Sequence, residues 1–365
     1  PSARGTQLAR TRSAILLWSG WPCETGSEAL DGDRRLLEKD VAQIRSRIRG
    51  FLLRTAIGKA MGVPLEGSPP IAGVSPEPFW DGFLPLPDDP SEPPGITSDD
   101  TQLVVLTMLA LQKPGGFSAD HLAELLCREM RKRRTDGWGL STMRAVGGMV
   151  YEGLTWQESA CPRGEAGNGP AMRAGPLGLW PWSSDREMCE AVLASSRITH
   201  TDAEACAGAV AVAAAHRYLV GCERFDREDL SEAVLTSVSS QCGRLREVLS
   251  FVFGEHEEEE VLSELLTLGD APVHPETGRR GISGYVVPSV GAALLLFSNR
   301  PHDPRSSLGR AMLAGGDTDT VGSVIGGLTG TLNGVDIWPD HLLSNVRHSA
   351  KLLKIADSFA ASLAS

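Results

Sequence analysis

The segment LAGGDTDTVGSVIGGLTG, Leu313 to Gly330, opens on paired glycines and two aspartates alternating with threonines, then continues in small and apolar residues. The pattern predicts a helix that starts at the aspartates, because Asp and Thr side chains satisfy the orphan amides of a first turn. A second segment, TSDDTQLVVLTMLAL (Thr97 to Leu111), repeats the arrangement and predicts a second helix with an acidic head. One capping residue suffices for one helix start. Four carboxylates at two starts exceed that need, and brought together they repel unless a cation intervenes. Two readings therefore stand side by side: capping alone, or a hard divalent ion held by oxygens of Ser98, Asp99, Asp100, Asp317, Asp319 and Thr320. In the second reading two ions, about 3.5–4 Å apart, share a carboxylate.

Outward from these segments, apolar residues recur at helical spacing in LTMLALQ, HLAELLCREM, EAVLASS, AEACAGAVAVAAAHRYLV, LREVLSFVF, VLSELLTL and HLLSNVRHSAKLLKIADSFAASL, with no competing strand alternation. The fold class expected is all-α, a compact orthogonal multi-helix bundle. Gly- and Pro-rich connections separate the helices, and the longest, Pro64 to Gly95, holds ten of the 23 prolines. A connection of that length inside a domain is usually functional or mobile. Residues 1–46 differ from the rest and form an expected N-terminal extension to a domain at 47–365. There a polar segment precedes a helix with Leu36, Leu37, Val41 and Ile44 on one stripe, either packed on the domain or serving as an arm for a partner.

At 365 residues and 41% hydrophobic content the chain can bury a sizeable core. A net charge of -11 speaks against a phosphate-backbone binder, so no nucleic acid is expected. The basic run MRKRRTDG reads as the cationic end of a helix, and EHEEEE as a solvated acidic helix start. Seven cysteines without a CxxC suit a reduced, cytoplasmic protein rather than a disulfide or zinc scaffold. The apolar patch Ala14–Trp18 is too short for a signal or a membrane span, and no membrane association is expected.

The two aspartate segments, together with GEAGNGPAMRAGPLGLW and SRITHTDAEACAGAVAVAAAH between them, resemble the ADP-ribosylglycohydrolase family over roughly residues 47–360. The resemblance implies an all-α bundle with two Mg²⁺ ions (Mn²⁺ as the substitute) that removes ADP-ribose from modified side chains. It implies metal ligation by Ser98, Asp99, Asp100, Asp317, Asp319 and Thr320, with serine where the family usually has threonine. It also places Gly164, Gly167, Asn168, Gly169, Arg173 and His200 around the ADP-ribose. Glu66, in GKAMGVPLEG, matches the glutamate over the reacting ribose and is the first choice for acid–base catalysis, followed by Asp100 and Asp319.

One position departs from the family pattern: Lys59 stands where an acidic residue is expected. An ammonium near a dication costs Coulomb energy unless it points away or pairs with a carboxylate. Lys59 thus either neutralises the carboxylates and weakens metal binding, or faces away and leaves catalysis intact, and the second is the expectation adopted. Ala166 falls where serine-linkage hydrolases of the family place an aromatic on adenine, so the arginine linkage is preferred. The expected partners are an ADP-ribosylated protein and ADP-ribose. The alternative is a protein that neutralises an ADP-ribosyltransferase through its N-terminal extension, with weak or no catalysis.

Overall fold

Among the described residues the apolar periodicity carries through to regular structure that is helical. A computed structural model describes residues 30–363 except 76–77, 162–163, 239–241 and 336–337. The helices that position the site are α1 (Leu30–Gly62), α2 (Asp99–Leu111), α3 (Ala119–Arg131), α4 (Leu140–Gly147), α5 (Asp185–Arg197), α6 (Ala203–Gly221), α7 (Gly243–Phe253), α8 (Glu258–Leu265), α9 (Val286–Asn299), α10 (Pro304–Ala314), α11 (Thr318–Asn333) and α12 (Ser349–Leu363). Residues 1–29, which carry most of the expected N-terminal arm, lie outside the described residues, as do the side chains of Leu36 and Leu37. The boundary expected at 46/47 falls inside α1, which runs through it unbroken. Beyond it Arg47 is buried and donates to the carbonyls of Leu219, Val220 and Cys222, closing the end of α6.

The crossing of α1 and α11 organises the bundle. Gly50, Gly58 and Gly62 on α1 and Gly322, Gly326 and Gly330 on α11 recur every four or eight residues, which puts each set on one helix face. A Cβ on Gly58 would stand 1.9 Å from the Gly322 carbonyl oxygen, and one on Gly330 would stand 2.2 Å from that of Gly50. The two backbones therefore touch, antiparallel, and only residues without a Cβ allow it. This contact carries Lys59, next to Gly58, to the acidic head of α11.

Helix α6 packs in the interior behind that crossing. Its His216 is 1% exposed, edge-on to Phe51 at 4.9 Å, with Nδ1 2.8 Å from Thr331 Oγ1. Burial pushes the imidazole pKa down to about 3. A folded-state value below the unfolded one means that the stability is present above about pH 6.5 and lost as pH falls. Between pH 7 and pH 5 wild type should lose about 2 kcal/mol more unfolding free energy than His216→Gln. Urea unfolding at the two pH values measures this, and equal losses in both proteins would contradict it.

The segments expected to be helical are so, with two corrections. The C-terminal stretch is not one helix: Asp340–Asn345 ends, and α12 starts only after His348, whose φ of 60° breaks the path. The acidic run is not simply solvated, since Glu258 at the head of α8 is largely buried and pairs with Arg300 and Arg310 while accepting from Asn299 at 2.7 Å. The basic run behaves as expected: α3 ends at Arg131, and Arg128, Lys132 and Arg134 surround Glu129. Helix α9 was absent from the expected set. Its residues are apolar on every side and thirteen of fourteen are buried, so it has no periodic stripe to read.

Candidate functional site

Isolated β-bridges between loops gather the motif segments. Gly316 donates to Ser68 at 2.8 Å and accepts from Gly67 at 2.9 Å, while Asp317 donates to Ile282 at 2.8 Å. Asn168 donates to Gly284 at 3.1 Å and Val286 to Ala166 at 2.9 Å, and Cys161 pairs with the backbone on both sides of His200. The paired glycines serve a close approach between loops, because Gly315 and Gly316 have φ of 67° and 79° and a Cβ on Gly316 would stand 2.0 Å from the Ile282 oxygen. The loops enclose a cavity of about 400 Å³ whose wall includes Lys59, Glu66, Asp99, Asn168, His200, Asp317 and Asp319.

Capping does not explain the acidic heads. Ser98 and Asp317 occupy the N-cap positions of α2 and α11, yet neither side chain accepts a hydrogen bond from its first turn. Asp202, Asp226 and Asp303 do accept such bonds at other helix starts of this chain. The acidic heads instead converge on Lys59. Its Nζ lies 2.6 Å from Asp100 Oδ2 and 3.1 Å from Asp99 Oδ1, and it contacts Asp319 Oδ2. Lys59 is 3% exposed, so the expectation that its ammonium faces away is overturned.

Asp319 is the hub of this cluster. It accepts from Lys59, from the Thr320 amide at 2.8 Å and from the Asp317 carboxyl. Burial opposes its charge, but Lys59 and those hydrogen bonds hold its pKa below the usual carboxylate value. Burial and the neighbouring Asp319 hold Asp317 well above that value, so Asp317 is the protonated partner. Asn168 Nδ2 donates to its other face at 2.6 Å. Burial pushes Asp100 up to about 7, with Lys59 opposing. Burial disfavours the Lys59 ammonium too, yet the three aspartates outweigh this and keep it charged.

Glu66 sits just past the turn Val63–Leu65 and leans over the cavity. Desolvation first, and Asp319 second, push its pKa up to about 7, a value suited to proton transfer near neutrality. His200 is buried and stays neutral, pushed down to about 4 by desolvation and by Arg173. It explains the glycines beside it: a Cβ on Gly169 would meet its ring at 3.1 Å and one on Gly167 at 3.4 Å.

Three expected site residues lie elsewhere. Arg173 is fully buried and donates to the Ser195 carbonyl and Thr199 Oγ1, so it braces α5 rather than facing the cavity. Gly164 is exposed and its amide is taken by Asp202 at 2.9 Å. Asp100 is completely buried behind Lys59 and is not part of the cavity wall. Conversely, Gly137 and Gly139 to Thr142 line the cavity and formed no part of the expected site. The sequence signal was the pair of glycines around Trp138, whose Nε1 donates to Gln102 at 2.7 Å.

The oxygen set expected to hold two Mg²⁺ ions is assembled, but two ions do not fit it as it stands. The position bounded by Asp99, Asp100 and Asp319 is filled by an ammonium. A dication 4 Å from that charge would be repelled by ~8 kcal/mol at an effective dielectric constant of about 20. Among the described residues no group of three or more His, Cys, Asp or Glu side chains is disposed to hold a metal.

A family model described as ADP-ribosylglycohydrolase matches residues 40–365. The ADP-ribosyl-[dinitrogen reductase] glycohydrolase of Rhodospirillum rubrum is 25% identical, over 83% of this chain and 91% of that protein. An ADP-ribosylarginine hydrolase of Pseudomonas putida is 27% identical, over 86% of this chain and 78% of that protein. An ADP-ribosylhydrolase of Mus musculus is 25% identical, over 81% and 86%. A solved structure titled ADP-ribosylglycohydrolase-related protein complex superposes with a TM-score of 0.66 at 24% identity, covering 88% of this chain and 99% of the other, and shares the fold.

Proposed function

This chain belongs to the ADP-ribosylglycohydrolase family, and from that premise we propose that it hydrolyses the bond between ADP-ribose and an arginine side chain of a modified protein. The observation that carries the reading is the convergence of Glu66, the heads of α2 and α11, and the Asn168 and His200 loops on one cavity. Cleavage at the ribose anomeric carbon passes through an oxocarbenium-like state that gains from nearby carboxylates. The C–N bond of the substrate guanidinium breaks with its electron pair going to nitrogen, so a neutral guanidine leaves. The water oxygen bonds to the anomeric carbon as Glu66 takes its proton, and that proton then passes to the guanidine. Asp319 and Asp317 hold Glu66 and Asn168 in register, and Asp100 and Asp99 hold Lys59.

The cavity wall favours arginine over a neutral acceptor. The carboxyl groups of Glu66, Asp99 and Asp319 line it, Asp319 is held ionised, the Lys59 ammonium is engaged by three aspartates, and His200 is neutral. A wall of acceptors with no free cation among the described residues suits a substrate guanidinium. Ala166 in place of an aromatic and the similarity to the Pseudomonas putida arginine hydrolase support the same linkage. With peptides carrying ADP-ribosyl-arginine or ADP-ribosyl-serine, and with free O-acetyl-ADP-ribose, as alternative substrates, release of ADP-ribose should be at least about tenfold faster from arginine. Equal or greater release from serine would overturn the linkage, and release from none would overturn the activity.

A further inference from the structure

The ammonium of Lys59 is a buried charge built into the fold. It is fixed at the C-terminal end of α1, where a helix favours a cation, and the glycine contact with α11 fixes its distance from Asp319. A lysine ammonium has three N–H donors. Here three carboxylates from two helix heads surround it. It also forms part of the cavity wall, so the same charge that binds the aspartates borders the space where the proposed function puts the ribose. A charge of one replaces a charge of two, and a covalently tethered cation replaces an exchangeable one.

We infer that Lys59 is a built-in cation that takes the place of one divalent ion between Asp99, Asp100 and Asp319, so that this chain holds at most one metal ion per site. The inference refines the site assigned above, but metal counting tests it without reference to hydrolysis. Removing the ammonium frees the three carboxylates, and Lys59→Asp adds a fourth. The substituted pocket then has the oxygen ligands that a hard cation prefers.

The test is calorimetric titration of Mn²⁺ into the chain of 365 residues, with bound metal counted by mass spectrometry after desalting. Wild type should bind no more than one ion, and Lys59→Asp should bind one more than wild type. Melting temperature adds a second readout: Mn²⁺ should raise it more in Lys59→Met than in wild type, because only the variant leaves the carboxylates uncompensated. Two tightly held ions in wild type would overturn the inference, whatever the variants do. A folded Lys59→Asp protein that gains no ion would overturn it as well, since the lysine would then not be what excludes the metal. Slow or absent ADP-ribose release with the expected counts would strike the proposed activity and leave this inference standing.

Discussion

Replacing Glu66 with glutamine should lower kcat for ADP-ribose release by roughly 10²–10⁴-fold with little change in KM, the range that a positioned general base contributes. The expectation rests on place and charge. Glu66 reaches into the cavity from a turn that Gly67 and Ser68 tie to the Gly316 backbone, so glutamine leaves the loop in position. Desolvation and Asp319 bring its pKa to about 7, so wild-type kcat/KM should rise with pH and level off above that value. The sign follows from the role: the base works ionised, and a raised pKa shifts its working form to higher pH. Glu66→Gln should be low and flat across the same interval. Activity within threefold of wild type, or an unchanged acid limb, would remove Glu66 from the reaction. Asp100→Asn is a useful contrast. That carboxyl lies behind Lys59 with no exposure, so its loss acts through the position of the ammonium rather than through the acid limb.

Much of this site was visible before its geometry, for a physical reason. Four carboxylates at two helix heads exceed what capping needs, and their surplus charge calls for a cation; that Ser98 and Asp317 do not cap is visible only in the geometry. Glu66, Asn168 and His200 were reached only through the family resemblance, since an isolated glutamate in a loop carries no signal of its own. The direction of Lys59 was not readable. It depends on how closely α1 approaches α11, which the glycines at 50, 58 and 62 and at 322, 326 and 330 determine together. Their spacing of four or eight residues was in the sequence, but a glycine stripe shows no apolar periodicity, and only the pairing of two distant stripes gives it meaning. Arg173 and Gly164 failed for a related reason. A motif position shows that a residue matters and not whether it faces the ligand or, as with Arg173 on Ser195 and Thr199, the scaffold.

The largest effect on stability should come from that crossing. Gly326→Ala should destabilise the chain by about 2–4 kcal/mol, whereas Gly243→Ala should be neutral or stabilising by up to about 1 kcal/mol. Intrinsic helix propensity favours alanine at both positions by about 1 kcal/mol, so the difference in sign isolates packing. At Gly243, in the first turn of α7, an added Cβ meets nothing within 4 Å. At Gly326 it would stand 2.1 Å from the carbonyl oxygen of Arg54, a backbone atom that no rotamer change can move. Relief requires α1 to shift, and α1 is held there by the buried Arg54 guanidinium, which lies 4.6 Å over the Trp338 ring and donates to the Val335 carbonyl. The same shift draws Lys59 away from Asp319, so the variant should lose ADP-ribose release even under conditions where it remains folded. Urea unfolding of the two alanine variants beside wild type decides the matter. If Gly326→Ala proves as stable as Gly243→Ala, the helices do not meet backbone to backbone, and the account of how Lys59 reaches the acidic heads fails with it.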